Sequence, residues 1–230
     1  MSSRAVHSVS SCDNRAVTIP FPTATRRQGA LLLADISGYT GFLQGVAEAH
    51  RALIVDSDQP PYAYAVMSST LQAIIEALSP RFQLAKLEGD AVFAVADDGT
   101  IDGESVLATL RDCYTTFRAQ LAIAAETWTC TCNACTTIDT LDLKFIVHHG
   151  AFVAQTIAGS TELLGPDVNT AHRLLKNHAT ELVGRVPYAL FTDVATDALA
   201  IETDGMSDGE EAYDGNPPMA VHILVLAPAA

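Results

Sequence analysis

Two short, wholly apolar runs each abut an aspartate, and that pattern constrains the fold more than any other feature of the chain. Leu31-Leu32-Leu33 leads into Asp35, and Asp90 leads into Val92-Phe93-Ala94-Val95. Runs without polar alternation suit strands covered by other elements rather than strands facing water. An aspartate where such a strand meets a turn delivers a carboxylate to the rim of a sheet. Two of them on neighbouring strands can share a pair of hard divalent cations, which take oxygen ligands. Ser37-Gly38-Tyr39-Thr40 follows Asp35 and opens a predicted helix, with Ser37 as its cap, so free backbone N–H groups there would point at an anion. Metal plus phosphate is the chemistry these residues imply.

The rest of the chain bounds that reading. Half of the 230 residues are apolar and charges are sparse, which fits one well-filled domain. A formal charge of −14, with only 13 Lys and Arg, argues against nucleic acid as a partner. No apolar run reaches the roughly 20 residues of a membrane span, and no signal-peptide core opens the chain. The expectation is a cytoplasmic protein that does not engage a membrane.

Residues 1–28 read as a flexible arm and 29–230 as one domain with a cysteine-containing insert near 129–138. Strand and helix signals alternate: a strand from Gly29 to Asp35, a helix to about Arg51, a break at Asp56–Pro61, a helix from Ala63 to Leu78, and strands at Phe82–Leu87 and Ala91–Ala96 joined at Glu88-Gly89-Asp90. A long helix from Gly103 to Trp128 follows. Strands at Leu141–His148 and Phe152–Ala158 are expected to meet at His149-Gly150, and a helix spans Asp167–Asn177. The tail reads as strand, helix, acidic loop (Glu202–Asp214) and strand. This order predicts an α+β fold with helices covering a mostly antiparallel sheet.

Three blocks resemble the signatures of class III nucleotide cyclases: Ala34-Asp35-Ile36-Ser37-Gly38-Tyr39-Thr40-Gly41-Phe42, Lys86-Leu87-Glu88-Gly89-Asp90 and Gly165-Pro166-Asp167-Val168-Asn169-Thr170-Ala171-His172-Arg173. They stand in that family's order, and the likeness spans about Gly29 to Leu226. The cysteine insert and His172–Asn177 also resemble a cyclase-like family of unassigned activity. The first resemblance implies a ferredoxin-like cyclase fold and a homodimer that makes 3′,5′-cyclic AMP and pyrophosphate from ATP. It implies two Mg or Mn ions on Asp35 and Asp90, with the Ile36 carbonyl as a further ligand, and triphosphate held at Ser37–Thr40. Asn169 would orient the ribose, Arg173 would stabilise the charge gathering on phosphorus, and Lys86 with Glu162 would read the base. A late lysine that binds the triphosphate in many members has no counterpart in Asn216–His222. The rival readings are a decayed nucleotide-binding module and a dimerising scaffold. At single positions, Lys86 could be a solvated strand lysine and Arg173 could pair with Glu181 or Asp167.

The chain has five cysteines, and Cys130, Cys132 and Cys135 form a C-x-C-x-x-C cluster. Structural zinc, reduced thiols and redox pairing are all compatible with it. For zinc, Cys113, His148 or His149 are the candidates for a fourth ligand, while His50 carries no signal.

Overall fold

The computed structural model describes residues 24–52, 54, 60–213 and 217–226. The sequence-predicted arm up to residue 23, the Asp56–Gln59 part of the predicted break and Asn216 lie outside them. Its centre is β1 (Thr25–Ser37), followed by α1 (Tyr39–Ala49), α2 (Tyr62–Leu78), β2 (Gln83–Glu88), β3 (Ala91–Asp97) and α3 (Gly103–Thr127). A 3-10 turn (Cys135–Thr140) leads into β4 (Asp142–Ile157), then β5 (Ser160–Leu164) and α4 (Pro166–Arg173). The chain closes with α5 (Ala179–Val183), β6 (Tyr188–Thr192), α6 (Asp193–Leu199), β7 (Ser207–Glu211) and β8 (Met219–Val225).

The sheet runs β2-β3-β1-β4-β6-β8-β7, with β5 folded back onto the far end of β4. All neighbours are antiparallel except β4 and β6. The first four strands and their two helical crossovers make a double split β-α-β, the ferredoxin-like pattern within an α+β fold. Strand β1 explains its own position. Residues Leu31 to Ala34 are wholly buried, which requires cover on both faces. Ala30, Leu32, Ala34 and Ile36 pack into the layer of α1, α2 and α3, whereas Leu31 and Leu33 face Phe93, Val168 and Leu174 in the layer of α4. That alternation fixes register, because a one-residue slip would exchange the two layers.

Four expectations change. Strand β1 begins at Thr25, paired with Ala154, so its pairing reaches into the segment read as an arm. The two strands expected around His149-Gly150 are one 16-residue strand, β4, because β1 pairs with it continuously from Thr25 to Ser37. The helix expected to run to Asn177 ends at Arg173 and tightens into a 3-10 turn over Leu174–Lys176. The loops around Glu162 and within Glu202–Asp214 contain strands β5 and β7, which pair with β4 and β8.

Candidate active site

Asp35 lies where β1 leaves its covered region. It sits opposite Ala91 on β3 and opposite Lys144 on β4. Directly opposed residues project to one face, and Lys144 Nζ lies 3.1 Å from Asp35 Oδ2 while also donating to the Leu175 carbonyl at 3.1 Å. Asp90 occupies the turn between β2 and β3. Burial pushes its carboxyl up, and the negative charge of Asp35 pushes it further, with Lys144 acting in the opposite sense. Two carboxylates therefore share one field, and a single ammonium offsets them. The Ile36 side chain is buried in the other layer, so only its main chain is available to this face.

The segment after Asp35 is Ser37, then Gly38 at φ 90°, then α1 from Tyr39. Gly38, not Ser37, is the cap residue, and no side chain caps the helix. The left-handed conformation of Gly38 turns the chain sharply enough for α1 to start directly at the end of β1. With no side-chain cap, the first-turn N–H groups of Tyr39 and Thr40 have no side-chain acceptor. Tyr39 is near enough to Asp90 for that carboxylate to raise its phenol, after burial. Ser37 and Gly38 line a cavity of about 400 Å³ with Lys144, Asn177, Arg185 and Tyr188. Lys144 and Arg185 were not singled out from sequence. Nothing local marks Lys144 in a strand that also carries Asp142, His148 and His149.

Strand β5 brings Glu162 to Lys86 across 76 residues of sequence, with Lys86 Nζ 3.0 Å and 3.3 Å from the two carboxylate oxygens. Lys86 is thus paired rather than merely solvated. The two line a narrow cleft of about 30 Å³ with Phe93, Val168 and His172. His172 is itself fixed by Glu88 at 2.8 Å and by an edge contact with Phe93. Asn169 and Arg173 are one turn apart on α4, and both are exposed. Among the described residues Arg173 makes no ion pair, so neither Glu181 nor Asp167 holds it. It lines a third cavity, of about 440 Å³, with His148, Asp167, Asp193 and Tyr213. The sequence-predicted residues therefore form three groups on one chain: a carboxylate pair beside an anion-suited turn, a Lys–Glu pair, and a free guanidinium.

Cys130, Cys132 and Cys135 converge, as their spacing suggested, but the fourth group beside them is His50. Cys113 is buried in the core, 3.9 Å from the Ile74 carbonyl, and burial pushes its thiol up to about 12. His148 is buried against Thr192 at 2.9 Å, and His149 pairs with Asp98 at 2.7 Å. None of these three belongs to the cysteine cluster.

The family model described as "Protein of unknown function (DUF2652)" matches residues 67–182, half of the chain. The chain belongs to this family. It is also 35% identical over 138 residues to the uncharacterized protein Rv2561/Rv2562 of Mycobacterium tuberculosis (strain ATCC 25618 / H37Rv), a match covering 58% of this chain and 60% of that protein. The chain thus matches somewhat under two thirds of that relative's length. Among solved structures, a bacterial light-regulated adenylyl cyclase superposes with a TM-score of 0.61 at 15% identity, covering 88% of this chain and 52% of that one. The guanylyl cyclase Cya2 gives 0.59 at 14% identity, covering 87% and 92%. The adenylyl cyclase CyaB from P. aeruginosa gives 0.57 at 13% identity, covering 88% and 96%. The fold of this family member is therefore that of nucleotide cyclase catalytic domains. No helix among the described residues is long and apolar enough to cross a membrane.

Proposed function

We propose that the chain is a homodimeric nucleotide cyclase that converts ATP to 3′,5′-cyclic AMP and pyrophosphate. The observation that carries this reading is the placement of Asp35, Asp90 and Lys144 on one sheet rim beside the uncapped start of α1. The donor set fits Mg or Mn, because it offers hard carboxylate oxygens whose mutual repulsion a dication relieves. Such ions, when bound, lower the pKa of the attacking hydroxyl and neutralise the leaving phosphates.

In this reading Asp35 and Asp90 hold the ions, with the Ile36 carbonyl beside them. The backbone N–H groups from Ser37 to Thr40 face the triphosphate. Lys144 and Arg185 supply the cationic charge that the tail, lacking a late lysine, does not. The ribose O3′ forms its bond to the α-phosphorus as the bond to pyrophosphate breaks, and the hydroxyl proton is released. Arg173, free of any ion pair among the described residues, stabilises the charge gathering on phosphorus. Asn169 orients the ribose. Lys86 donates to adenine N1 while Glu162 accepts from the amino group, which favours ATP over GTP.

Ser37 beside Asp35 lines one cavity and Arg173 lines another, so the reading requires one chain's carboxylates to face a partner's Arg173, Asn169 and Lys86. The test is product analysis with ATP, GTP, CTP and UTP plus Mn²⁺, run beside Asp35→Ala. Cyclic nucleotide made by the wild type and lost in the variant is expected. Mixing Asp35→Ala with Arg173→Ala should restore part of the activity through one intact site per mixed dimer. No product from any nucleotide, from a folded dimer, would refute the enzyme and leave a nucleotide-binding module. Product without recovery in confirmed mixed dimers would refute the shared site.

A further inference from the structure

We propose that Cys130, Cys132, Cys135 and His50 form a structural zinc centre that ties the end of α1 to the crossover entering β4. The four donor atoms come from two segments some 80 residues apart and all lie within 4.8 Å of one another. His50 Nε2 is 3.5 Å from the sulfur of Cys130 and 3.4 Å from those of Cys132 and Cys135. An imidazole nitrogen carries one proton or one lone pair, so it cannot satisfy three sulfurs by hydrogen bonding. Near-equal distance to all three is the geometry of four groups around a common centre. Zn–S bonds of about 2.3 Å and a Zn–N bond of about 2.0–2.1 Å, at tetrahedral angles, place sulfur and nitrogen about 3.5 Å apart.

The chemistry of the set narrows the metal. Three thiolates and one imidazole suit zinc and disfavour Mg or Ca, which seek oxygen. The spacing holds one ion, whereas an iron–sulfur cluster needs its cysteines spread around a multi-atom core. Four protein ligands leave no open position, which marks a structural rather than a catalytic centre. A disulfide between any two of the cysteines would leave the third and His50 without a partner.

The surroundings are built to the same end. The Cys135 N–H points at the Cys132 sulfur at 3.4 Å, as in a tight turn around a coordinated thiolate. A Cβ on Gly45 of α1 would come within 3.0 Å of Ala134 Cβ, so two small residues let the helix rest on the Cys132–Cys135 turn. Trp128, just before the cluster, packs edge-on against Phe42 of α1 and Tyr62 of α2. His50 caps the C-terminus of α1, and its N–H bonds the Val46 carbonyl at 3.0 Å. The helix that begins at the Asp35 turn therefore ends on this centre. The same crossover emerges into β4, which carries Lys144.

The test is elemental analysis of the full chain purified without a metal-affinity tag and without chelator, followed by Co²⁺ exchange. One zinc per chain is expected, and the cobalt form should show thiolate charge-transfer absorption with intense tetrahedral d–d bands. Chelator should remove the zinc and lower Tm, with Zn²⁺ but not Mg²⁺ restoring it. His50→Cys should keep one zinc and shift the cobalt spectrum to a four-thiolate type, a result independent of nucleotide activity. Sub-stoichiometric zinc with no charge-transfer band on Co²⁺ titration would overturn the proposal. A disulfide among these cysteines in freshly isolated protein, or a His50→Cys cobalt spectrum identical to wild type, would overturn it equally.

Discussion

Gly150 sits at the middle of β4, and Gly150→Ala should destabilise the fold through a single neighbour. An alanine methyl there would overlap Cβ, Cγ and Oδ2 of Asp167 in the first turn of α4. Asp167 cannot simply swing aside. Its Oδ2 accepts the Ala151 N–H at 2.7 Å, and its Oδ1 lies 3.6 Å from the buried His148 Nε2. Overpacking of this kind costs about 1–3 kcal/mol, and losing a hydrogen bond to a charged group costs about 1.5–3 kcal/mol. Stiffening the unfolded chain offsets about 0.4–1 kcal/mol. The net is a loss of about 2–5 kcal/mol, which in a chain of this size lowers Tm by on the order of 10 °C. The assay is urea unfolding of wild type, Gly150→Ala, Asp167→Ala and the double variant. Because Asp167→Ala removes Cγ and Oδ2 but leaves Cβ in place, the double variant should lose less than the sum of the two single losses, a coupling of about 1–3 kcal/mol. A Gly150→Ala protein within about 0.5 kcal/mol of wild type, or strictly additive losses, would refute the clash. Since α4 carries Asn169 and Arg173, the same variant should lose activity in parallel, and Asp167→Ala should not deepen that loss.

Lys144→Met keeps the aliphatic stem and removes the ammonium beside Asp35, so kcat/KM for ATP should fall by about a hundredfold; a change of a few-fold in steady-state assays would exclude Lys144 from the phosphate site. Lys86→Ala should lower the ATP-over-GTP preference in kcat/KM by about tenfold or more, because the base loses a placed donor; an unchanged ratio would remove the base-reading role. Two histidines should also shape the pH dependence of stability, in opposite senses on either side of the ordinary histidine value. The hydrogen bond from His178 to Glu211, then the charge of Glu211, raises His178, so its contribution is full below the unfolded value and lost as pH rises through the folded one. Burial lowers His148, so its contribution is present above the unfolded value and lost as pH falls. Chemical denaturation across pH should show His178→Gln flattening the alkaline limb alone; an unaltered limb would refute the assignment.

What could be read along the chain was whatever depends on local pattern. The apolar runs of β1 and β3 announced strands, and Ser79-Pro80 announced the end of α2. The misread elements have their cause elsewhere in the sequence. His149-Gly150 looks like a turn, yet β1 pairs straight past it, and its glycine answers to Asp167 rather than to a bend. Strand β5 is polar and short, and it forms because Val153 to Ile157 offers it an edge. Strand β7, Ser-Asp-Gly-Glu-Glu, has the composition of a loop and is ordered by β8 and by Glu211, a buried carboxylate bonded to the His178 N–H at 2.6 Å.

The same distinction separates the visible and hidden parts of the candidate site. Asp35 and Asp90 stand where apolar runs meet turns, and Asn169 and Arg173 stand in a compact block whose likeness to a known family exposed them. Lys144 becomes relevant only through register, since Asp35 faces it across the β1–β4 ladder. Sliding that ladder by one residue would turn Lys144 to the opposite face, and no local feature of Lys144 reveals which outcome holds. His50 is a stronger instance. It follows no motif and lies 80 residues before Cys130, but a helix of 11 residues from Tyr39 carries it from the Ser37–Gly38 turn to the cysteines. At about 1.5 Å per residue, α1 is a strut of roughly 16 Å between the two centres. A helix held at its far end by a metal and at its near end by a glycine in the left-handed conformation can shift as a unit more easily than it can bend. Loss of zinc should therefore be felt at Ser37–Thr40 rather than confined to the insert.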